Sequence, residues 1–190
     1  MARKSVDIAQ YAMKDIFDGA DRYIVPLFQR EYKWTEEKGL VDFWDDLTQH
    51  YNDETERKTP YHFGPIMLIN ENEAVKDFRV VDGQQRLTTS LLLLIAARDL
   101  FYELGEKDEV AEIEEYIYAQ SDTEEKLPRI KLSALNNDWW EDKILPVDKF
   151  SAKRESIFGD VDKRNKVLCA AYRYLGDNLK EEVLEKNNVK

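Results

Sequence analysis

Gly83, Gln84, Gln85 and Arg86 stand between a run of strand type, Phe78-Arg79-Val80-Val81, and a long apolar run that begins at Leu87. A helix that starts there has four unpaired amide groups and about half a positive charge at its first turn. A glycine just ahead of it lets the backbone come close to an anion. An arginine in the first turn adds a planar fork of donors that matches phosphate oxygens. Thr88 and Thr89 add two hydroxyls, and Asp82, at the strand end, can hold a divalent cation or orient a water. Together these parts make a phosphate cradle with Arg86 as its anchor. The same residues also describe a tight turn with Asp82 as helix cap and Arg86 on the surface, and the Gly-x-x-Arg spacing by itself leaves both readings open.

A second cluster, residues 26–34, reads Pro-Leu-Phe-Gln-Arg-Glu-Tyr-Lys-Trp. Gln29 can read a base edge, Arg30 can pair with phosphate, and Tyr32 or Trp34 can stack on a ring. The alternative is structural: Tyr32 and Trp34 as core anchors, with Arg30 paired to Glu31 or Asp82. One cysteine and two histidines, Cys169, His50 and His62, exclude a disulfide framework and the usual zinc cage. His62 reads as a structural hydrogen-bonding residue and Cys169 as an inert core thiol. Trp139, Trp140, Tyr116 and Tyr118 read as packing residues rather than stacking platforms.

Other elements must position these clusters. Ile8, Ala12 and Ile16 share one side of a short helix across 5–17, and residues 23–28 read as a strand closed by an extended proline segment. Thr35 is the expected cap of a helix with Glu36 and Glu37 at its positive end and Leu40, Phe43, Trp44, Leu47 and Tyr51 along its apolar face. Residues 63–69 and 78–81 form a hairpin about a turn at 71–74. The run from Leu87 to Ala97 is apolar on every side and ends near Gly105, the pattern of a helix covered on all faces. Val110, Ile113 and Ile117 mark another helix, and residues 127–132 a strand whose Pro128 suits an edge. Trp139, Trp140 and Ile144 mark a short helix, and Val167, Leu168, Ala171, Tyr172 and Leu175 a longer one. The acidic stretch 112–125 reads as a solvated face.

The chain has 190 residues, 28 Lys and Arg against 39 Asp and Glu, a net charge of −11, and 43% hydrophobic residues. That suffices for a core in one domain with a helical appendage. An acidic chain is a poor match for duplex DNA, whose binders present a basic face, although a local basic pocket around Arg22, Arg30 and Lys33 is compatible with the total. No signal-peptide block opens the sequence, and the most apolar run, 91–97, is far too short to span a membrane. The expectation is a soluble protein of a reducing, cytoplasmic compartment with no membrane partner. Residues 185–190 stop without a cap or a glycine, as expected of a chain cut from a longer protein.

Three blocks occur in order: residues 24–34, Phe63-Gly64-Pro65-Ile66, and Asp82-Gly83-Gln84-Gln85-Arg86-Leu87-Thr88-Thr89. They resemble the DGQQR-motif domain, the N-terminal half of GmrSD-type, modification-dependent restriction enzymes and of related phage-defence proteins. Segments around Leu132, Asp138 and Ile144 and from Tyr172 to Leu179 extend the resemblance over nearly the whole chain. The resemblance implies an α/β fold of ParB/sulfiredoxin-like type, a small mixed sheet with packed helices and a helical C-terminal extension. Its expected division is a nucleotide-binding core at 1–105 and a mainly helical part at 106–190.

The resemblance also implies nucleoside triphosphate binding and Mg²⁺-dependent hydrolysis. Asp82, Gly83, Gln84, Gln85 and Arg86 are then the signature, with Gln29 and Arg30 as its partner block. Arg86 and the amides after Gly83 would hold phosphates, with Thr88 and Thr89 beside them. Asp82 would organise the metal or the attacking water, Arg30 would neutralise charge from across the pocket, and Gln29 or Gln85 would position the nucleophile or base. The expected partners are a nucleoside triphosphate and an absent C-terminal nuclease half that carries any DNA contact; a homodimer is admitted. His50 and His62 lie outside any His-Asn-His setting, so no nuclease activity is expected of these residues. Gln84, in place of a thiol, argues against a sulfiredoxin-like reductase. Two other functions stay open: a non-hydrolysing nucleotide sensor, and a DNA-binding module that reads modified bases.

Overall fold

The computed structural model describes residues 8–70, 76–121, 126–159 and 161–188. In chain order its elements are α1 (Met13–Ile16), β1 (Arg22–Ile24), α2 (Leu40–Asn52), β2 (Met67–Ile69), β3 (Asp77–Asp82), α3 (Gln84–Leu104), α4 (Lys107–Ile117), β4 (Tyr118–Ala119), β5 (Leu127–Pro128), β6 (Ile130–Lys131), α5 (Asn137–Trp139), α6 (Phe150–Gly159) and α7 (Lys166–Asn188). The result is a mixed α/β fold. Four strands form a sheet in the order β2-β3-β1-β6, with β1 parallel to both β3 and β6 and β2 antiparallel to β3. β4 and β5 pair as a separate antiparallel ladder. Residues on both sides of position 105 therefore contribute to one sheet. Among the described residues no helix is long and apolar enough to cross a membrane.

α3 is the centre of the fold. Tyr23, Val25, Val80 and Ile130 of the sheet region share a core with Leu87, Leu91, Leu92 and Ile95 of α3, and α4, α6 and α7 pack on the helix as well. This is why an all-round apolar run was needed: full burial of Leu91, Leu92 and Ile95 contributes roughly 2 kcal/mol per side chain. The helix ends where the sequence places its end, at Gly105. There a φ of 87° lets the amide turn back to the carbonyls of Phe101 and Tyr102.

Several elements differ from expectation. β1 and β2 are shorter than 23–28 and 63–69, because Pro26 and Pro65 lack the amide a ladder requires. The run 127–132 divides at Arg129 between two different ladders. Thr35 does not cap α2. It exchanges backbone hydrogen bonds with Lys38 in a tight turn, and Gly39 precedes the helix. Of the helix expected across 5–17 the described residues form Met13–Ile16, and residues 1–7 lie outside the described residues. The turn at 71–74 lies outside them too, but the hairpin it closes is present as β2 and β3. The sequence reading has no counterpart to α6, whose buried Phe150 and Ile157 are separated by a mostly polar stretch.

Two polar networks lie inside the fold. Asp99 accepts from Arg98, Lys153 and Tyr172, and all four side chains are buried. Burial holds the Lys153 ammonium down at about 8 against the pull of Asp99. Nearer the surface, Glu103 of α3 accepts from Ser151 of α6 and Lys180 of α7. Partial burial raises the Glu103 carboxyl, but the hydrogen bonds from Ser151 and Lys180 outweigh it and hold the pKa at about 2. A carboxyl whose folded pKa is depressed stabilises the fold above its unfolded value of 4.5, and that stability is lost as pH falls from there toward about 2. Across this window the unfolding temperature of the parent is expected to fall more steeply than that of Glu103→Gln. Parallel curves would remove Glu103 from the acid response.

Candidate functional site

β3 delivers Asp82 to the edge of the core, and one residue later the chain turns into α3. Gly83 makes that turn at φ 86°, in the left-handed region. A Cβ there would stand 3.0 Å from Ile66 Cγ1 and 3.2 Å from its Cα, so a side chain fits neither the conformation nor the space. No side chain caps α3 and no acid stands in its first turn, so the leading amides and their partial positive charge are not neutralised within the helix.

A concavity of about 180 Å³ opens at this point, lined by Gln29, Arg30 and Trp34 on one side and by residues 82–86 on the other. The segment after β1 is pinned over the helix by two glutamines. Gln29 donates from Nε2 to the Val81 carbonyl at 2.8 Å. Gln85, buried, accepts from the Lys33 amide at 2.7 Å and lies 3.5 Å from the Glu31 carbonyl through Nε2. Through these contacts Gln85 holds the loop over the helix while still lining the concavity.

Arg86 is not on open surface. Its side chain is 26% exposed, Nη2 donates to the Pro65 carbonyl at 2.6 Å, and Gly64, at φ 88°, leaves the room that the guanidinium occupies. Nε of Arg86 is buried without a partner, and so is Oε1 of Gln84, a residue only 7% exposed. Asp82 does not cap the helix. Its side chain is 70% exposed and its carboxylate is 3.8 Å from Arg86. Arg30 is paired with neither of the acids considered for it, since Glu31 meets Lys33 and Asp82 meets Arg86; it stands exposed on the rim.

The structure brings Gln29, Arg30, Asp82, Gly83, Gln84, Gln85 and Arg86 together, and it leaves Thr88 and Thr89 out. Both threonines are fully buried one turn further along α3, where Thr89 shares a 2.7 Å hydrogen bond with the Tyr32 hydroxyl. Burial pushes the Tyr32 hydroxyl pKa up, against the hydrogen bond to Thr89, so Tyr32 is a neutral core anchor. The Thr89 hydroxyl is thus engaged within the core, while the Thr88 hydroxyl is buried without a partner, and neither residue lines the concavity. Gly64 and Pro65, which seat Arg86, carried no role in the sequence reading. The adjacency of their block to the signature in the family pattern was the available signal.

A larger groove of about 570 Å³ is lined by Ile24, Leu27, Phe28 and Leu132 together with Arg79 and Lys131. None of the buried unpartnered polar atoms lines it. Among the described residues two such atoms, Gln84 Oε1 and Arg86 Nε, belong to the smaller concavity, while Thr88 Oγ1 and Trp140 Nε1 lie outside it. What the smaller site can do chemically is bind an oxyanion between the helix amides and two guanidinium groups.

A search of curated proteins returns no match. The family model described as the GmrSD restriction endonuclease, N-terminal domain, matches residues 13–189. That span includes every residue of the concavity and both halves of the core, and the chain belongs to the family of GmrSD restriction endonuclease N-terminal domains.

Proposed function

We propose that this chain binds a nucleoside triphosphate by its phosphates at the head of α3 and hydrolyses it with Mg²⁺, as the N-terminal part of a cytoplasmic, modification-dependent restriction or phage-defence protein. The observation that carries the reading is Arg86. Its Nε donor is buried without a partner beside uncapped amides, and Gln84, more than nine-tenths buried, leaves the acceptor Oε1 without a partner at the same turn. Buried polar groups left unmade are costly, so the Arg86 donor supports an anionic ligand there, and the Gln84 acceptor supports a cation or a hydrogen-bond donor accompanying it.

In this reading Arg86 and the amides of residues 84–86 hold phosphate oxygens, and Arg30 reaches in from the rim. Gln29 has its nitrogen committed to Val81, which leaves its oxygen to orient a water. The Asp82 carboxylate accepts a hydrogen bond from that water as its oxygen attacks the terminal phosphorus and the bond to the bridging oxygen breaks. Among the described residues no group of three His, Cys, Asp or Glu is arranged for a metal. Mg²⁺ needs only one or two protein oxygens when phosphates supply others, and the Asp82 carboxylate and Gln84 Oε1 are hard oxygens that fit it. When bound, the ion supplies charge neutralisation on the phosphate oxygens. A nuclease half outside this chain carries the DNA contact in the proposed whole.

A thermal-shift panel of ATP, GTP, CTP and UTP, each with and without Mg²⁺ and paired with an assay of released phosphate, tests the proposal. At a concentration near 100 times Kd a ligand adds about 2.7 kcal/mol, a rise of roughly 5–10 °C for a chain of this size. The expected result is such a rise with at least one triphosphate, larger with Mg²⁺, together with phosphate release. A rise without release would assign sensing instead of turnover. No rise with any of the four at millimolar concentration would overturn the binding itself.

A further inference from the structure

The concavity at the head of α3, about 180 Å³, has room for phosphate groups but not for the sugar and base of a nucleotide as well. The rest of such a ligand must lie along the rim. Trp34 forms part of that rim and is half-buried. One face of its indole is already covered. A Cβ built on Gly39 would stand 2.9 Å from Cδ2 and 3.0 Å from both Cδ1 and Cε2. A point nearly equidistant from three atoms of the five-membered ring lies above the ring, not beside it. Gly39, at φ 92°, therefore backs the indole with bare backbone, and Phe43 braces it at 6.2 Å between ring centroids.

The segment carrying Trp34 is also fixed on both sides. The Lys33 amide is held by Gln85 of α3, and Thr35 exchanges backbone hydrogen bonds with Lys38. The backbone on both sides of the indole is thus held before any ligand arrives, on one side by the first turn of α3. Tyr32, the other ring of the segment, is buried and bonded to Thr89.

We propose that the face of Trp34 opposite Gly39 is the platform for the base of a nucleotide whose phosphates sit at the head of α3, so that the site takes a nucleoside polyphosphate in preference to a bare polyphosphate. This rests on the phosphate reading above and adds to it the source of selectivity for a base-bearing ligand. A ring backed by glycine and locked by its neighbours has little freedom left to lose on stacking, and it tolerates any base, since each has a flat π-face.

Calorimetric titration of the full chain with Mg²⁺ and two probes, inorganic triphosphate and the nucleoside triphosphate that gives the largest thermal shift, tests it. Trp34→Ala is expected to weaken nucleotide binding roughly 10- to 100-fold and triphosphate binding less than about twofold. Trp34→Phe, which keeps a ring, is expected to retain most of the nucleotide affinity and a parent-like unfolding temperature. Equal losses for both probes would make Trp34 structural and overturn the proposal. So would unchanged nucleotide affinity in Trp34→Ala, or a loss that appears instead in Phe28→Ala, whose ring lines the neighbouring groove. If neither probe binds the parent chain, the phosphate reading fails first and this one with it; if triphosphate binds as tightly as the nucleotide, only the role of Trp34 fails.

Discussion

Arg86→Ala is expected to bind nucleoside triphosphate at least about 100-fold more weakly than the parent, since two charge-assisted hydrogen bonds to phosphate are worth roughly 1.5–3 kcal/mol each. The fold is expected to survive the change. The hydrogen bond to Pro65 lies at the surface, and the Asp82 carboxylate that Arg86 faces is 70% exposed and 3.8 Å away, a pair that contributes little. Loss of binding at a nearly unchanged unfolding temperature therefore separates recognition from stability. Arg86→Lys is expected to recover only a small part of the affinity, because an ammonium lacks the planar fork and the Nε donor that the parent holds buried and unpartnered. Calorimetry on the three proteins checks this. An alanine variant that binds as well as the parent would remove Arg86 from the site.

The largest expected effect on stability is at Arg129. Its side chain is fully buried and reaches six backbone carbonyls: those of Asp18, Gly19, Asp21, Glu115, Tyr116 and Tyr118, at 2.8–3.2 Å. Three of these lie at the C-terminal end of α4 or just beyond it, where the helix dipole is negative. The other three belong to the loop that leads into β1. Burial lowers the pKa of the guanidinium, while nearby Tyr23, Asp18 and Asp21 raise it. Arg129 thus ties the helical part of the chain to the first strand of the sheet. Arg129→Leu would leave these carbonyls buried without a donor, and a loss of about 3–5 kcal/mol is expected, a large share of the stability of an ordinary domain. Urea denaturation measures it, and a loss below about 1 kcal/mol would contradict the account. Arg129→Lys, with fewer donors and no fork, is expected to fall between the two.

Arg129 also shows where sequence reading runs out. α3 was legible because its apolar residues recur on every side and Gly105 marks its end. The β2–β3 hairpin was legible from two short apolar runs. The parallel pairing of β1 with β3 and β6 was not, since the partners are remote in sequence and only the folded chain aligns them. An arginine whose partners are all main-chain carbonyls has no sequence signature at all. At the site, Gly83 and Arg86 stood out by type and spacing, and Asp82, Gln84 and Gln29 by the company they keep. Gln85 and Thr89 show why the rest is not legible: a polar residue near a motif reads as a ligand contact until its hydrogen-bond partner is known. Gln85 belongs to the Glu31–Lys33 backbone and Thr89 to Tyr32. Gly64 could be assigned only after the guanidinium of Arg86 was seen lying against it.

The most direct test is nuclear magnetic resonance of the ¹⁵N-labelled chain titrated with a Mg²⁺ nucleoside triphosphate. If the head of α3 holds the phosphates, the amide signals of Gln84, Gln85 and Arg86 and the Nε–H signal of Arg86 will shift most, and they will saturate together with the thermal stabilisation. Saturable binding that leaves those four signals in place, while residues elsewhere shift, would contradict the assignment.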